Sequence, residues 1–176
     1  MSEKILRFTN ELSKEQIFEE IQTYLQELGL NVASFDFSRP WGGYFVIDES
    51  QAEQFIKTFF PHLSLEDFKG FNKLSPKILL VEPHKRLSWQ YHNRRSEIWK
   101  VIGGSAAVAT SKTNDEQPAR PVGPGTVLEL EQGERHRLVG ADEWGVIAEI
   151  WRHTDADNPS DEADIIRVQD DYGRES

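Results

Sequence analysis

Cysteine is absent from the chain. That excludes a disulfide framework and any thiolate metal site, and it accords with a reducing cytoplasm. No apolar run is long enough to span a bilayer, and the opening Met1-Ser2-Glu3-Lys4-Ile5-Leu6-Arg7 holds no signal-peptide core. The expectation is a soluble, cytoplasmic protein without a membrane partner. Positive charge is scarce as well: 20 Lys and Arg against 30 Asp and Glu leave a formal net charge of -10. Phosphates attract basic surfaces, so a nucleic-acid partner is not expected. An anionic small molecule would need a local basic cluster, and Arg94/Arg95 and Arg135/Arg137 are the two candidates. No internal repeat is evident, and 176 residues suit one domain with a real core.

The N-terminal third reads as helical. Ser13 with Gln16 forms a capping-box pattern, and Ile17, Ile21, Leu25 and Leu28 follow at helical spacing before Gly29. Ser50 with Glu53 repeats the cap ahead of Ala52, Phe55, Ile56, Phe59 and Phe60, which end at Pro61. Both stripes are expected to pack on the core. From Lys77 the pattern changes to short β-type runs at 78–81, 87–92, 97–102, 106–110, 126–130, 135–139 and 146–151. Residues 103–105 and 121–125 carry turn chemistry, 112–120 a polar loop tip, and the acidic stretch 155–164 reads as a solvated loop. Short strands at even spacing predict a barrel or jelly roll rather than a parallel sheet.

Within those strands, Gln90 and His92 are two residues apart and so leave one face of a strand. Glu97 can reach that face after a short turn, and His136 can reach it from a third strand. An amide oxygen, two imidazoles and a carboxylate suit a divalent metal of borderline character. Zinc heads the list, with manganese, iron, nickel and cobalt also compatible.

This layout resembles the two motifs of the cupin superfamily. Gln90, His92, Glu97 and Gly104 fall on the first, with His84 at the usual glycine and Gln90 in place of the usual first histidine. Gly125, Gly133 and His136 fall on the second, with Glu131 where proline is common and Gly140 where asparagine is common. A narrower likeness rests on Arg39-Pro40-Trp41-Gly42, Leu87-Ser88-Trp89-Gln90-Tyr91-His92, Arg95-Ser96-Glu97-Ile98-Trp99 and Asp171-Tyr172-Gly173-Arg174. These segments resemble the cupin domain of type II mannose-6-phosphate isomerases, where a glutamine ligand is expected. Ile98 and Arg94 stand where histidine is frequent and Trp151 where glutamine is, so the expected substrate stays at a hexose or heptose phosphate.

The resemblance implies a mainly β fold, a cupin-type double-stranded β-helix (jelly-roll barrel) with N-terminal helices. Residues 1–38 would be a helical segment packed on the barrel, and 39–176 the barrel itself, with a helical insertion around 50–70. It implies a metal-dependent aldose–ketose isomerase acting on a sugar phosphate, with one divalent ion on Gln90, His92, Glu97 and His136. Arg174, with Arg39 or Arg167 beside it, would anchor the phosphate. Arg95 and Arg137 are further candidate substrate contacts, and Trp41, Trp89, Trp99 and Tyr172 candidate pocket walls. The proton shuttle is open among Glu149, Lys100 and Glu129. A non-catalytic sugar-binding module and an iron-dependent cupin dioxygenase are the alternatives. Pairing of edge strands would give a homodimer.

Overall fold

The structure is a computed structural model, and it describes residues 12–68, 73–155 and 157–174. Residues 1–11 of the expected helical segment, and 69–70 at the end of the expected insertion, lie outside the described residues. Helix α1 (Lys14–Glu27) is followed by strands β1 (Val32–Asp36) and β2 (Gly42–Ile47), and then by helix α2 (Ala52–Phe59). Seven further strands complete the fold: β3 (Lys77–Val81), β4 (Trp89–Tyr91), β5 (Arg95–Ser111), β6 (Arg120–Val122), β7 (Val127–Leu130), β8 (Arg135–His153) and β9 (Ile166–Gln169). All pairings are antiparallel, in the order β1-β2-β3-β8-β4-β9, with β5 bonded to β6, β7 and β8. No helix among the described residues is long and apolar enough to cross a membrane.

Two-residue alternation divides the strands into an outer and an inner face. Ile78 and Leu80 of β3, Ile98 of β5, and Val146, Ala148 and Ile150 of β8 face outward, under Ile17, Ile21 and Leu25 of α1 and Phe55, Ile56 and Phe59 of α2. Leu79, Val81, Trp99, Val101, Val108, Leu138 and Ile147 face inward and fill the barrel. Both helical stripes therefore bury where the periodicity predicts. Each fully buried Ile, Leu or Phe contributes roughly 1.5–3 kcal/mol, more than helix propensity supplies.

The α1 cap forms as expected: Ser13 Oγ accepts from the Gln16 amide and Gln16 Oε1 accepts from the Ser13 amide. The second cap does not. Asp48 accepts from the Ser50 amide and hydroxyl, so residues Glu49–Gln51 wind as a 3-10 turn, α2 starts at Ala52, and Glu53 pairs with Lys57 instead. Strands β1 and β2 are additions to the expected set, and β6 occupies part of a presumed turn. The runs 97–102 and 106–110 are one strand, as are 135–139 and 146–151. Gly103–Gly104–Ser105 reads as a turn but is a bulge, where register shifts twice. Gly104 has φ +65°, and a Cβ there would lie 1.7 Å from the Trp144 carbonyl oxygen, so only glycine lets the two long strands meet.

Candidate metal centre

Four strand positions bring the expected ligands together. Gln90 on β4 lies directly across from His136 on β8, and His92 continues the Gln90 face. Glu97 belongs to the inward row of β5, with Arg95 and Trp99 on the same face. His92 Nε2 stands 3.4 Å from Glu97 Oε2, and His136 Nε2 stands 3.4 Å from Glu97 Oε1. Gln90 Nε2 is 3.5 Å from both imidazole Nε2 atoms. Donors about 2.1 Å from one tetrahedral ion are about 3.4 Å from one another, and the two imidazole–carboxylate spacings have that length.

The hydrogen bonding points the same way. His92 Nδ1 meets the Asp164 carbonyl at 2.7 Å and His136 Nδ1 meets the Glu134 carbonyl at 3.2 Å. A ring nitrogen against a carbonyl must carry the proton, which turns both Nε2 lone pairs toward Glu97. Burial lowers the His92 pKa, against the pull of Glu97, with Arg95 and His136 adding to the drop. Burial alone would raise Glu97, yet His92 and Arg95 hold it well below its ordinary value as a carboxylate. Glu97 Oε1 makes no hydrogen bond. Two imidazole lone pairs thus face carboxylate oxygens, an arrangement that a cation between them satisfies. His92, Glu97 and His136, all buried, form a group that could hold a metal ion. The Gln90 Oε1 accepts from Ser88 Oγ at 2.5 Å. Turning the amide over presents the oxygen to the cluster and leaves the hydroxyl an N–H to accept.

The acidic stretch 155–164 is not merely a solvated loop; it is a strap that braces the centre. The Asp164 carboxylate accepts from the Asn93 and Arg94 amides and from Ser160 Oγ. Arg94 binds Asn158, Pro159 and Asp161 of the strap, and Arg95 binds Ser160 and the Asp161 carbonyl. Arg95 also donates to Glu97 Oε2 at 3.0 Å and stacks 3.8 Å over Trp151.

The other expected site residues divide by strand parity. Glu149 faces inward, 6% exposed, with Trp99 Nε1 donating to its Oε1 at 2.9 Å. Burial raises its pKa to about 8, helped by the Glu97 charge and opposed by Lys77 and Arg95. Lys100 is three residues from Glu97 on the same strand and takes the opposite face, so its expected place in the pocket is wrong. Arg137 is a second correction: next to His136, it points away and is fully buried. There it bonds the Leu87 carbonyl, Glu116 and Gln169 as a structural cross-link. Arg135 stacks over Tyr91 on that outer face, and Trp89 is buried there too, its indole on the Asn114 carbonyl. Glu129, on β7, pairs with Arg152, whose neighbours Trp151 and His153 flank it on β8.

Arg167 on β9 pairs in register with Gln90 and shares its face. Burial lowers the Arg167 pKa, and the nearby Arg174 and Arg39 charges push the same way, against Asp170. Arg167, beside Gln90, therefore lies within electrostatic reach of Arg174 and Arg39. Arg174 is docked rather than frayed: Asp170 holds its guanidinium with two bonds and its amide with a third. Tyr172 lies 5.4 Å from that guanidinium, and Trp41 is buried with its indole N–H unpartnered. Lys77 was missed by the sequence reading. It sits across from Glu149, 8% exposed, on the inward row of β3. A lone charge in the alternation Lys77-Leu79-Val81 was the available signal.

The barrel and its motifs are those of a cupin, a double-stranded β-helix. The chain belongs to the family described as mannose-6-phosphate isomerase C-terminal, whose sequence profile matches residues 51–170. No curated protein matches the chain. Among solved structures, a Cupin 2 conserved barrel domain protein from Salinispora arenicola is 26% identical, with TM-score 0.40 over 48% of this chain and 65% of its own. The DMSP lyase DddQ from Ruegeria pomeroyi is 18% identical, with TM-score 0.41 over 52% of this chain and 44% of its own. The capsular polysaccharide assembling protein CapF from Staphylococcus aureus is 13% identical, with TM-score 0.50 over 86% of this chain and 40% of its own, a likeness of fold alone. The chain spans less than two thirds of each of these proteins.

Proposed function

We propose that the protein is a metal-dependent aldose–ketose isomerase of a sugar phosphate, with a hexose or heptose phosphate as substrate. The observation that carries this reading is the convergence of Gln90, His92, Glu97 and His136 through contacts of about 3.5 Å, beside Arg167, on which the Arg174 and Arg39 charges act, in a chain of this family. Nitrogen and oxygen donors at that spacing favour zinc, with manganese, iron, nickel and cobalt as substitutes. The ion, when bound, supplies Lewis acidity to the substrate oxygens.

The chain's own residues do the rest. Arg167 and Arg174, with Arg39 in reach, hold the phosphate through charge-assisted bonds and so fix the carbon chain over the barrel mouth. Glu149 removes a proton from the hydroxyl-bearing carbon and returns it to the neighbouring carbonyl carbon, while the hydroxyl proton passes to the former carbonyl oxygen through the enediol. Burial poises its carboxyl near neutrality, where it can both take and release a proton. Trp99 fixes Glu149 through Oε1, and Arg95 keeps Glu97 ionised while adding positive charge where the oxygens become anionic. Trp41 and Tyr172 line the approach. Metal-loaded protein incubated with a panel of hexose and heptose phosphates should interconvert an aldose and a ketose. If every sugar phosphate is left unchanged, the isomerase is refuted, and tight binding without turnover would make the protein a sugar-binding module.

A further inference from the structure

Trp151 carries three cations over its ring: Arg95 at 3.8 Å, Lys77 at 4.9 Å and Lys73 at 5.9 Å. Arg95 belongs to the metal centre, whereas Lys73 lines a groove of about 740 Å³ with Arg39, Tyr44, Glu49, Ser75 and Glu162, and Lys77 meets that groove through its bond to Glu162. Lys77 is nearly buried, and its Nζ bonds Glu162 Oε1 at 2.6 Å while the Glu162 side chain is 62% exposed. The same ammonium lies 5.8 Å from the Tyr44 ring, and the Arg39 guanidinium lies 5.7 Å from it. Glu49, the other carboxylate on the wall, is already engaged by the Leu74 and Ser75 amides. Those bonds hold Ser75 at φ +50°, a left-handed conformation that a non-glycine residue keeps only when its surroundings impose it.

A buried ammonium needs an anion beside it, because an uncompensated buried charge is strongly destabilising. An exposed glutamate contributes little to such a pair and can turn to solvent at small cost. A dianion contacted by several cationic donors is the stronger partner. We propose that this groove is a subsite for the phosphate-type dianion of a small ligand, held by Lys77, Lys73 and Arg39. The Glu162 carboxylate of the strap occupies it until the ligand displaces it. The subsite shares Arg39 with the proposed Arg167–Arg174 anchor, differs from it in Lys77 and Lys73, and stands whichever reaction the metal centre supports.

Titration of metal-free protein with inorganic phosphate tests this, with sodium acetate as the monoanion control. Glu162→Ala should tighten phosphate binding about threefold, the scale of an exposed ion pair. Lys77→Met should weaken it about tenfold or more, the scale of a charged hydrogen bond. Acetate should bind more weakly than phosphate throughout. Unchanged phosphate affinity in Glu162→Ala overturns the proposal, and so does acetate binding as tight as phosphate. Should Lys77→Met fail to fold, the solvent-exposed Lys73→Met serves in its place, with loss of affinity expected. If Arg174→Ala abolishes binding while Lys77→Met leaves it intact, phosphate belongs to the arginines and the subsite is refuted. Turnover of sugar phosphates, measured separately, judges the isomerase reading alone.

Discussion

Replacing Asp164 by asparagine should cost both stability and metal affinity, although Asp164 offers the metal no side-chain donor. Its carboxylate, 3% exposed, accepts from the Asn93 amide at 2.9 Å, the Arg94 amide at 2.9 Å and Ser160 Oγ at 2.6 Å. The asparagine keeps one acceptor oxygen and turns an N–H donor against a backbone N–H. At roughly 1.5–3 kcal/mol for each hydrogen bond to a charged group, the loss should be about 3 kcal/mol. For a chain of this size that lowers Tm by about 6–12 °C. The turn that Asp164 braces carries His92, and the Asp164 carbonyl orients the His92 ring, so metal affinity should fall about 10–100-fold. Thermal unfolding without metal measures the first effect, and competition against a chelator the second. Burial would raise the Asp164 pKa, but Ser160 and the two amides outweigh it and lower it below 3.8. A depressed carboxylate stabilises above its unfolded value and loses that contribution as pH falls through its folded value. The advantage of wild type over Asp164→Asn should therefore persist at neutral pH and shrink on acidification below about 3.8. A variant that melts with wild type and binds metal equally well would refute the strap as a brace.

His92→Ala and His136→Ala should each lose most bound metal by elemental analysis, and full retention by either removes that residue from the ligand set. Arg137→Met should cost about 3 kcal/mol by leaving its buried partners unpaired, yet leave metal affinity unchanged, as expected of a cross-link on the outer face. Glu149 is raised to about 8, so the folded protein holds a proton that the unfolded chain releases above about 4.5. Metal-free wild type should lose stability relative to Glu149→Gln as pH rises through that window, and parallel pH profiles would contradict it. Gly104→Ala should destabilise by more than about 4 kcal/mol, since the added carbon meets the Trp144 carbonyl.

The helices were legible because cap and stripe agree at Ser13, Gln16, Ile17, Ile21 and Leu25. The meeting of Gln90, His92, Glu97 and His136 was legible because Gln90 and His92 share strand parity and the glutamate and second histidine follow at characteristic offsets. Parity also held information left unused: Arg137 adjoins His136 and Lys100 is three residues from Glu97, so alternation alone sets both on the outer face. Strand β1 escaped detection because its middle residues are exposed, and β2 because it opens on two glycines. The role of the strap depends on partners about 70 residues away, Asn93 and Arg94, and local composition carries no trace of such contacts. His84 marks the opposite outcome. It stands where the motif usually has glycine and adopts φ +62°, a left-handed conformation that glycine takes without strain.

Strand β8 pairs with β5 at both ends, His136 with Thr110 and Trp151 with Glu97, and His136 also lies across from Gln90 of β4. Glu97 and His136 sit near opposite ends of that pairing, so their side chains become neighbours only because the sheet curls back on itself. An ion captured there acts as a latch on closure. Its exchange into a strong scavenger should be limited by the rate of barrel opening, so that ion release doubles as a clock for the slowest fluctuation of the fold.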